Sequence, residues 1–189
     1  MEESKELQAQ IRQAALGLYQ REGLKFTMQQ LAEELHISKK TIYGWYDSKE
    51  ALLLDLVDDA FLQIHARKRA VLDGSGTIPE KLRAVIVALP EAYSAMDLQR
   101  LGELEEKYPA VARRVRWQLE TGWEPTLQLM EQAMEQGIMR RVSLPVLKRM
   151  ISSAIEDFLS AEAREQLGLS YRETLDQMIS ILMEGVLVR

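Results

Sequence analysis

Lys39, Lys40, Thr41, Tyr43, Trp45, Tyr46 and Lys49 crowd into eleven residues of the stretch "HISKKTIYGWYDSKEALL", residues 36–53. Asp47 is the only acid among them. Ammonium groups supply point charges for phosphates, and tyrosine and threonine hydroxyls add hydrogen bonds to phosphate oxygens. Aromatic rings add flat apolar faces that meet thymine methyls. The chemistry these types share is polyanion recognition. The whole chain carries a net charge of -5, so a global basic footprint is missing. Residues 36–49 nevertheless carry a net +2, and residues 50–66 a net -4. A local island is sufficient if the fold aims it at a phosphate backbone.

Other chemistries lack their parts. Glu33-Glu-Leu-His36 is a Glu-x-x-His, but a di-iron bundle needs two such motifs. His65, the only other histidine, has leucine rather than an acid three residues before it. There is no cysteine, no glycine-rich phosphate loop and no Ser/His/Asp arrangement. No enzyme, metal site or cofactor is expected.

The elements that must position the island read as helices. Leu7, Ile11, Ala14, Ala15, Leu18 and Tyr19 form a helical stripe that Gly23 ends. Thr27-Met-Gln-Gln30 reads as a capping box for a short helix over 27–35. Ser38 caps a third helix over 38–45, and Asp47-Ser-Lys-Glu50 opens a long fourth helix to about residue 72. "DGSGT", residues 73–77, is linker-like. Helices are then expected over 79–95, 97–106, 109–136, 144–166 and 171–187, with Gly137 and Gly168 as stops and Ser143 and Ser170 as caps. The fold class is all-α, with about nine helices and no strand. The acidic start "MEESKELQ" is no signal peptide, and no apolar run spans a bilayer, so a cytoplasmic protein without a membrane partner is expected.

Two short helices joined by about three residues have the geometry of a helix-turn-helix, here over 28–47. Ser38, Lys39, Lys40 and Thr41 then occupy the first turn of its second helix, where the helix dipole already favours phosphate. Tyr43 and Tyr46 can place hydroxyls on phosphates. Trp45 lies at the end of that helix, where DNA would cover it. Lys49 can reach the flanking backbone. Ile37 and Ile42 read as core, and Ala32 is small where crossing helices approach. A helical protein-interaction adaptor is the rival reading, but it leaves the lysine and tyrosine cluster without a role.

"TMQQLAEELHISKKTIYGWYDSKEALL", residues 27–53, resembles the DNA-binding segment of the tetracycline-repressor-like (TetR) family, with its caps, turn, aromatics and Lys49 in register. The general layout is similar over about residues 6–65. The resemblance implies an N-terminal DNA-binding domain, residues 1–66, and a helical effector-binding and dimerisation domain, residues 67–189. It implies a homodimer on double-stranded DNA with an inverted repeat, released by a small-molecule effector. Thr27, Thr41, Tyr43 and Lys49 match backbone-contacting positions; Gln29, Lys39 and Lys40 match positions that reach base edges. This sequence departs from the pattern at His36, where the turn glycine is usual, and at Trp45 and Tyr46. Gly44, inside the short helix, is expected to weaken it by about 1 kcal/mol relative to alanine.

In the C-terminal two thirds, Pro125 is expected to kink the 109–136 helix, with Gly122 adding slack. Trp117, Trp123, Leu127, Met130 and Met134 lie around that kink. With Tyr93, Met96 and Phe158 they could line a cavity for a largely apolar effector. Glu103, Glu105 and Glu106 could neutralise a cationic ligand. Leu147, Met150, Ile151, Ala154 and Ile155 form one apolar stripe, and Leu175, Met178, Ile179, Leu182 and Val186 another. The resemblance implies that the two helices carrying these stripes pair with their copies in a dimer.

Overall fold

The computed structural model describes residues 2–86 and 101–186. The fold is all-α. Helix α1 (Glu2–Glu22) leads through a 3-10 turn (Gly23–Lys25) to α2 (Met28–Glu34), α3 (Lys39–Tyr43) and α4 (Lys49–Asp73). Then follow α5 (Ile78–Ile86), α6 (Leu101–Lys107), α7 (Pro109–Glu120), α8 (Glu124–Glu135), α9 (Leu144–Asp157), α10 (Ala161–Leu167) and α11 (Tyr171–Val186). Among the described residues the only extended pairing is a single bridge position at Met139; beside it the Arg140 amide donates to the Val186 carbonyl at 2.8 Å. No helix among them is long and apolar enough to cross a membrane.

Helix starts follow the capping residues. The Thr27 hydroxyl accepts from the Gln30 amide at 3.1 Å, and Gln30 Oε1 accepts from the Thr27 amide at 2.8 Å. Thr77 with Glu80 and Ser170 with Glu173 form the same reciprocal pair. Such a box satisfies two of the four amides that a helix start leaves unbonded. The fourth helix is capped one residue later than its sequence suggests: Ser48, not Asp47, accepts from the Ala51 amide at 3.1 Å. Ser143 precedes α9 as its cap residue without a side-chain bond.

Two large apolar cores result among the described residues, beside a small cluster built on Ala112 and Leu159. The first gathers Ile11, Ala15, Leu18, Tyr19, Phe26, Leu31, Ile42, Leu52 and Leu56 from α1 to α4. The second gathers Leu82, Trp123, Met130, Ala133, Met139, Leu147, Ile151, Ile179 and Met183 from α5, α8, α9, α11 and the loops that join them. Helix α4 belongs to both, with Leu52, Leu53 and Leu56 buried in the first and Leu72 packed on the second. Its middle is clasped to α7, where Arg114 Nε and Nη2 donate to the two Asp58 oxygens at 2.6 and 2.8 Å and Gln118 adds a bond at 3.0 Å.

Two long helices expected from the sequence are each two helices. The 109–136 rod breaks at Thr121–Trp123 rather than kinking. Gly122 adopts φ +70°, and Pro125 falls in the first turn of α8, where no amide is needed. The 144–166 rod ends at Asp157 and restarts after Ser160, whose hydroxyl accepts from the Ala163 amide at 3.0 Å. The described residues therefore hold more helices than the nine expected, because two breaks are local events within one apolar period.

Candidate functional site

The turn between α2 and α3 is built from the backbone upward. The His36 amide donates to the Glu33 carbonyl at 3.1 Å and the Ile37 amide to the Ala32 carbonyl at 3.0 Å. This paired closure requires a left-handed residue between them, and His36 supplies it with φ 53°. Histidine tolerates that region better than most side chains, so the turn survives without glycine. Ala32 is 2% exposed where α2 and α3 pack, and Ile42, fully buried, anchors α3 to the core. The Ser38 hydroxyl accepts from the Thr41 amide at 3.0 Å.

Burying Ile42 turns the opposite face of α3 outward. Lys39, Lys40 and Tyr43 are exposed there, with Lys39 Nζ 5.7 Å from the Tyr43 ring centroid. Thr27, Gln29 and Ser38 are also exposed, and Thr41 is half-buried with its hydroxyl 2.8 Å from that of Ser38. Gln29 is held along α2 by a 2.8 Å bond to Glu33. Gly44 is the C-cap of α3 rather than an interior residue. The helix stops where its glycine stands, so the expected interior weakening does not arise.

Three members of the expected set turn inward. Tyr46 is 5% exposed, and its hydroxyl donates to Asp55. Arg12 also holds Asp55, at 3.3 Å, and Asp59, at 3.5 Å. Burial first, and then the bond to Asp55, push the Tyr46 phenol well above its ordinary range. Lys49 donates to the Leu24 carbonyl at 2.7 Å and to the Phe26 carbonyl, with its ammonium 3.9 Å from the Phe26 ring centroid. Burial and then Lys107 lower its pKa to about 8, against the pull of Glu22. Trp45 is half-buried against the first core. In this structure Tyr46 and Lys49 pin the start of α4 to the rest of the N-terminal unit instead of facing outward. The sequence signals the Arg12–Asp55–Tyr46 network only through the acid run of residues 50–66, which has no Lys or Arg.

The expected effector residues are dispersed. Trp123, Leu127, Met130 and Met134 share the second core, and of these Met130 lines a small cavity of about 10 Å³ with Leu82, Met139 and Met183. Trp117 is 54% exposed and lies beneath the Arg114 guanidinium at 4.8 Å. It lines a separate groove of about 380 Å³ between α4 and α7, with Leu54, Asp58, Ala110, Arg113 and Arg114. Phe158 is the half-buried C-cap of α9. Tyr93 and Met96 lie outside the described residues. Of the three glutamates, Glu103 pairs with Lys107 at 3.7 Å and Glu105 with Arg116, while Glu106 is exposed.

The expected dimer stripes are largely spent within the chain. Leu147, Ile151, Ile179 and Val186 are buried in the second core, with Ile155, Met178 and Leu182 packed on it. Leu175 is 4% exposed, and Ala154 is half-buried. Of the ten, only Met150 is well exposed, at 57%. Val146, one turn before it on α9, and Ile181 on α11 stand out in water as well.

An all-α chain that presents a capped helix-turn-helix with an exposed cationic second helix has the build of a DNA-binding regulator. Residues 11–56 match the family model described as bacterial regulatory proteins, tetR family. The chain is 22% identical over 170 residues to an uncharacterized HTH-type transcriptional regulator, YvaF of Bacillus subtilis (strain 168), covering 89% of this chain and 90% of that protein. Thermus thermophilus FadR, a TetR-family transcriptional repressor solved in complex with lauroyl-CoA, is 26% identical, with TM-score 0.62 and 96% of each chain covered. Bacillus subtilis FadR in complex with stearoyl-CoA gives TM-score 0.71 at 16% identity, covering 94% of this chain and 98% of that one. Residues 11–56 thus match a tetR-family regulatory segment, and the chain as a whole is similar to transcriptional regulators.

Proposed function

We propose that the protein is a repressor that binds an inverted-repeat operator as a homodimer and is released by a small, largely apolar effector. Residues 1–66 form the DNA-binding domain in this reading, and residues 67–189 bind the effector and carry the dimer contact, in the cytoplasm. The observation that carries it is the outward face of α3, where Lys39, Lys40 and Tyr43 stand exposed on an otherwise acidic chain. Lys39, Lys40 and Gln29 read base edges, while Thr27, Ser38, Thr41 and Tyr43 hold the phosphate backbone. A two-fold dimer presents two copies of α3, so the half-sites mirror each other.

The effector class is supported by the apolar character of the second core and by two structural neighbours solved with lauroyl-CoA and stearoyl-CoA. Val146, Met150 and Ile181, large apolar side chains left in water, support the dimer contact. Selection of bound sequences from random duplex DNA tests the reading. Enrichment of an inverted repeat is expected; recovery of no enriched sequence overturns it in favour of an adaptor.

A further inference from the structure

Between Asp59 and Asp73, α4 carries His65, Arg67, Lys68 and Arg69 and no carboxylate. Arg67 and Arg69 are exposed, whereas Lys68 turns inward and is half-buried, its Nζ 5.5 Å from the Trp123 ring centroid. Other lysines drawn against the protein have oxygen partners. Lys49 has the Leu24 and Phe26 carbonyls, Lys81 the Leu72 carbonyl at 2.7 Å, and Lys148 the Glu120 carbonyl at 3.0 Å. Lys68 has neither a hydrogen bond nor an ion pair among the described residues. Burial lowers its pKa, and no acid among the described residues offsets that.

The ring beneath this ammonium is held there by backbone geometry. Gly122 sits at φ +70° against His65; a Cβ on it would lie 2.3 Å from His65 Cε1. The α7–α8 turn therefore lies directly on the inner face of α4. Trp123, 5% exposed, is fixed by its indole N–H, which donates to the Leu119 carbonyl at 2.8 Å. His65 has no hydrogen-bond partner either among the described residues. An ammonium taken partly out of water without a counter-charge is costly, and an aromatic face repays only part of that. An anion arriving with a ligand repays the rest.

We propose that Lys68 is the charge-recognising residue of the effector site, pairing with the carboxylate or phosphate of an otherwise apolar ligand whose polar end lies beside Trp123. This rests on the reading that the C-terminal domain takes an apolar effector, and it adds that the effector is an anion. A fatty carboxylate and an acyl-CoA share this chemistry.

The test uses the full chain with Trp45→Phe and Trp117→Phe, which leaves Trp123 as the only tryptophan. It is titrated with dodecanoate, dodecanoyl-CoA and dodecanol. At least one anionic probe should shift Trp123 emission with a Kd about tenfold or more below that of dodecanol. Lys68→Met should bring that probe to the dodecanol level and leave dodecanol itself within about twofold, while Lys68→Arg keeps the preference. Which anionic probe loses affinity distinguishes a carboxylate partner from a phosphate partner. An anionic preference that survives Lys68→Met overturns the inference alone, as does a wild type that binds dodecanol as well as the anions. If none of the three binds, the apolar-effector reading falls and the inference with it. Lys68→Met should also unfold at or above the wild-type temperature, because it removes an uncompensated charge. A variant that melts well below wild type shows that Lys68 is already satisfied, and this too overturns the inference.

Discussion

Lys39, Lys40 and Lys49 are the same side chain put to two uses within eleven residues. The first two project from the exposed face of α3; the third is drawn onto two carbonyls. Lys39→Ala or Lys40→Ala should cost on the order of 1–3 kcal/mol of operator binding for each base edge that goes unread. Gel-shift titration at fixed salt reads that cost, and urea unfolding should be unchanged. Lys49→Met should do the reverse, lowering stability by about 1–3 kcal/mol because two carbonyls lose their donor. The residue types of the site were legible in the sequence; the destinations of Lys49 and Tyr46 were not. A lysine's four-carbon stem reaches outward or inward from the same position, and a tyrosine next to a helix start fits either water or core. His65 offers a further test. Burial, and then Lys68, lower its pKa from 6.5. The unfolded chain thus takes up the proton more readily, so stability falls as pH drops below about 6.5 and levels off below the folded value. Urea midpoints at two pH values should show this slope in the wild type, and His65→Gln should flatten it.

At the scale of elements, what the sequence announced best were helix starts. Thr27 with Gln30, Ser38, Thr77 with Glu80, and Ser170 act where their spacing says, because a cap is a local bond between near neighbours. The break at Thr121–Trp123 was harder to read. Proline in an apolar period reads as a kink, and only the left-handed Gly122 before it makes a full stop. Gly122→Ala should cost about 1–2 kcal/mol for the positive φ and a further 1–3 kcal/mol or so for the clash with His65. Gly137 has the same φ of +70° but open space around it, so Gly137→Ala should cost the backbone part alone. Equal losses in chemical denaturation would show that the turn does not rest on His65. The apolar stripes of α9 and α11 mark a limit of another kind. Periodicity shows that a face is buried, not whether it is buried by its own chain or by a copy.

For the whole molecule, the second core consumes most of those stripes and leaves Val146, Met150 and Ile181 outside. The protein should sediment at twice its 21.7 kDa, and Val146→Glu with Met150→Glu should give a helical monomer that loses tight operator binding. An unchanged dimer would move the contact elsewhere. Helix α4 has a consequence of its own. Its 25 residues make a rod about 37 Å long, with one end in each core. Regarded as a lever, such a rod converts a turn of about 5° at its C-terminal end into a displacement of about 3 Å at the other, close to the 3.4 Å spacing of stacked bases. In the proposed dimer two such levers swing in opposite directions, so the paired α3 helices would lose their register with an inverted repeat while neither core is repacked.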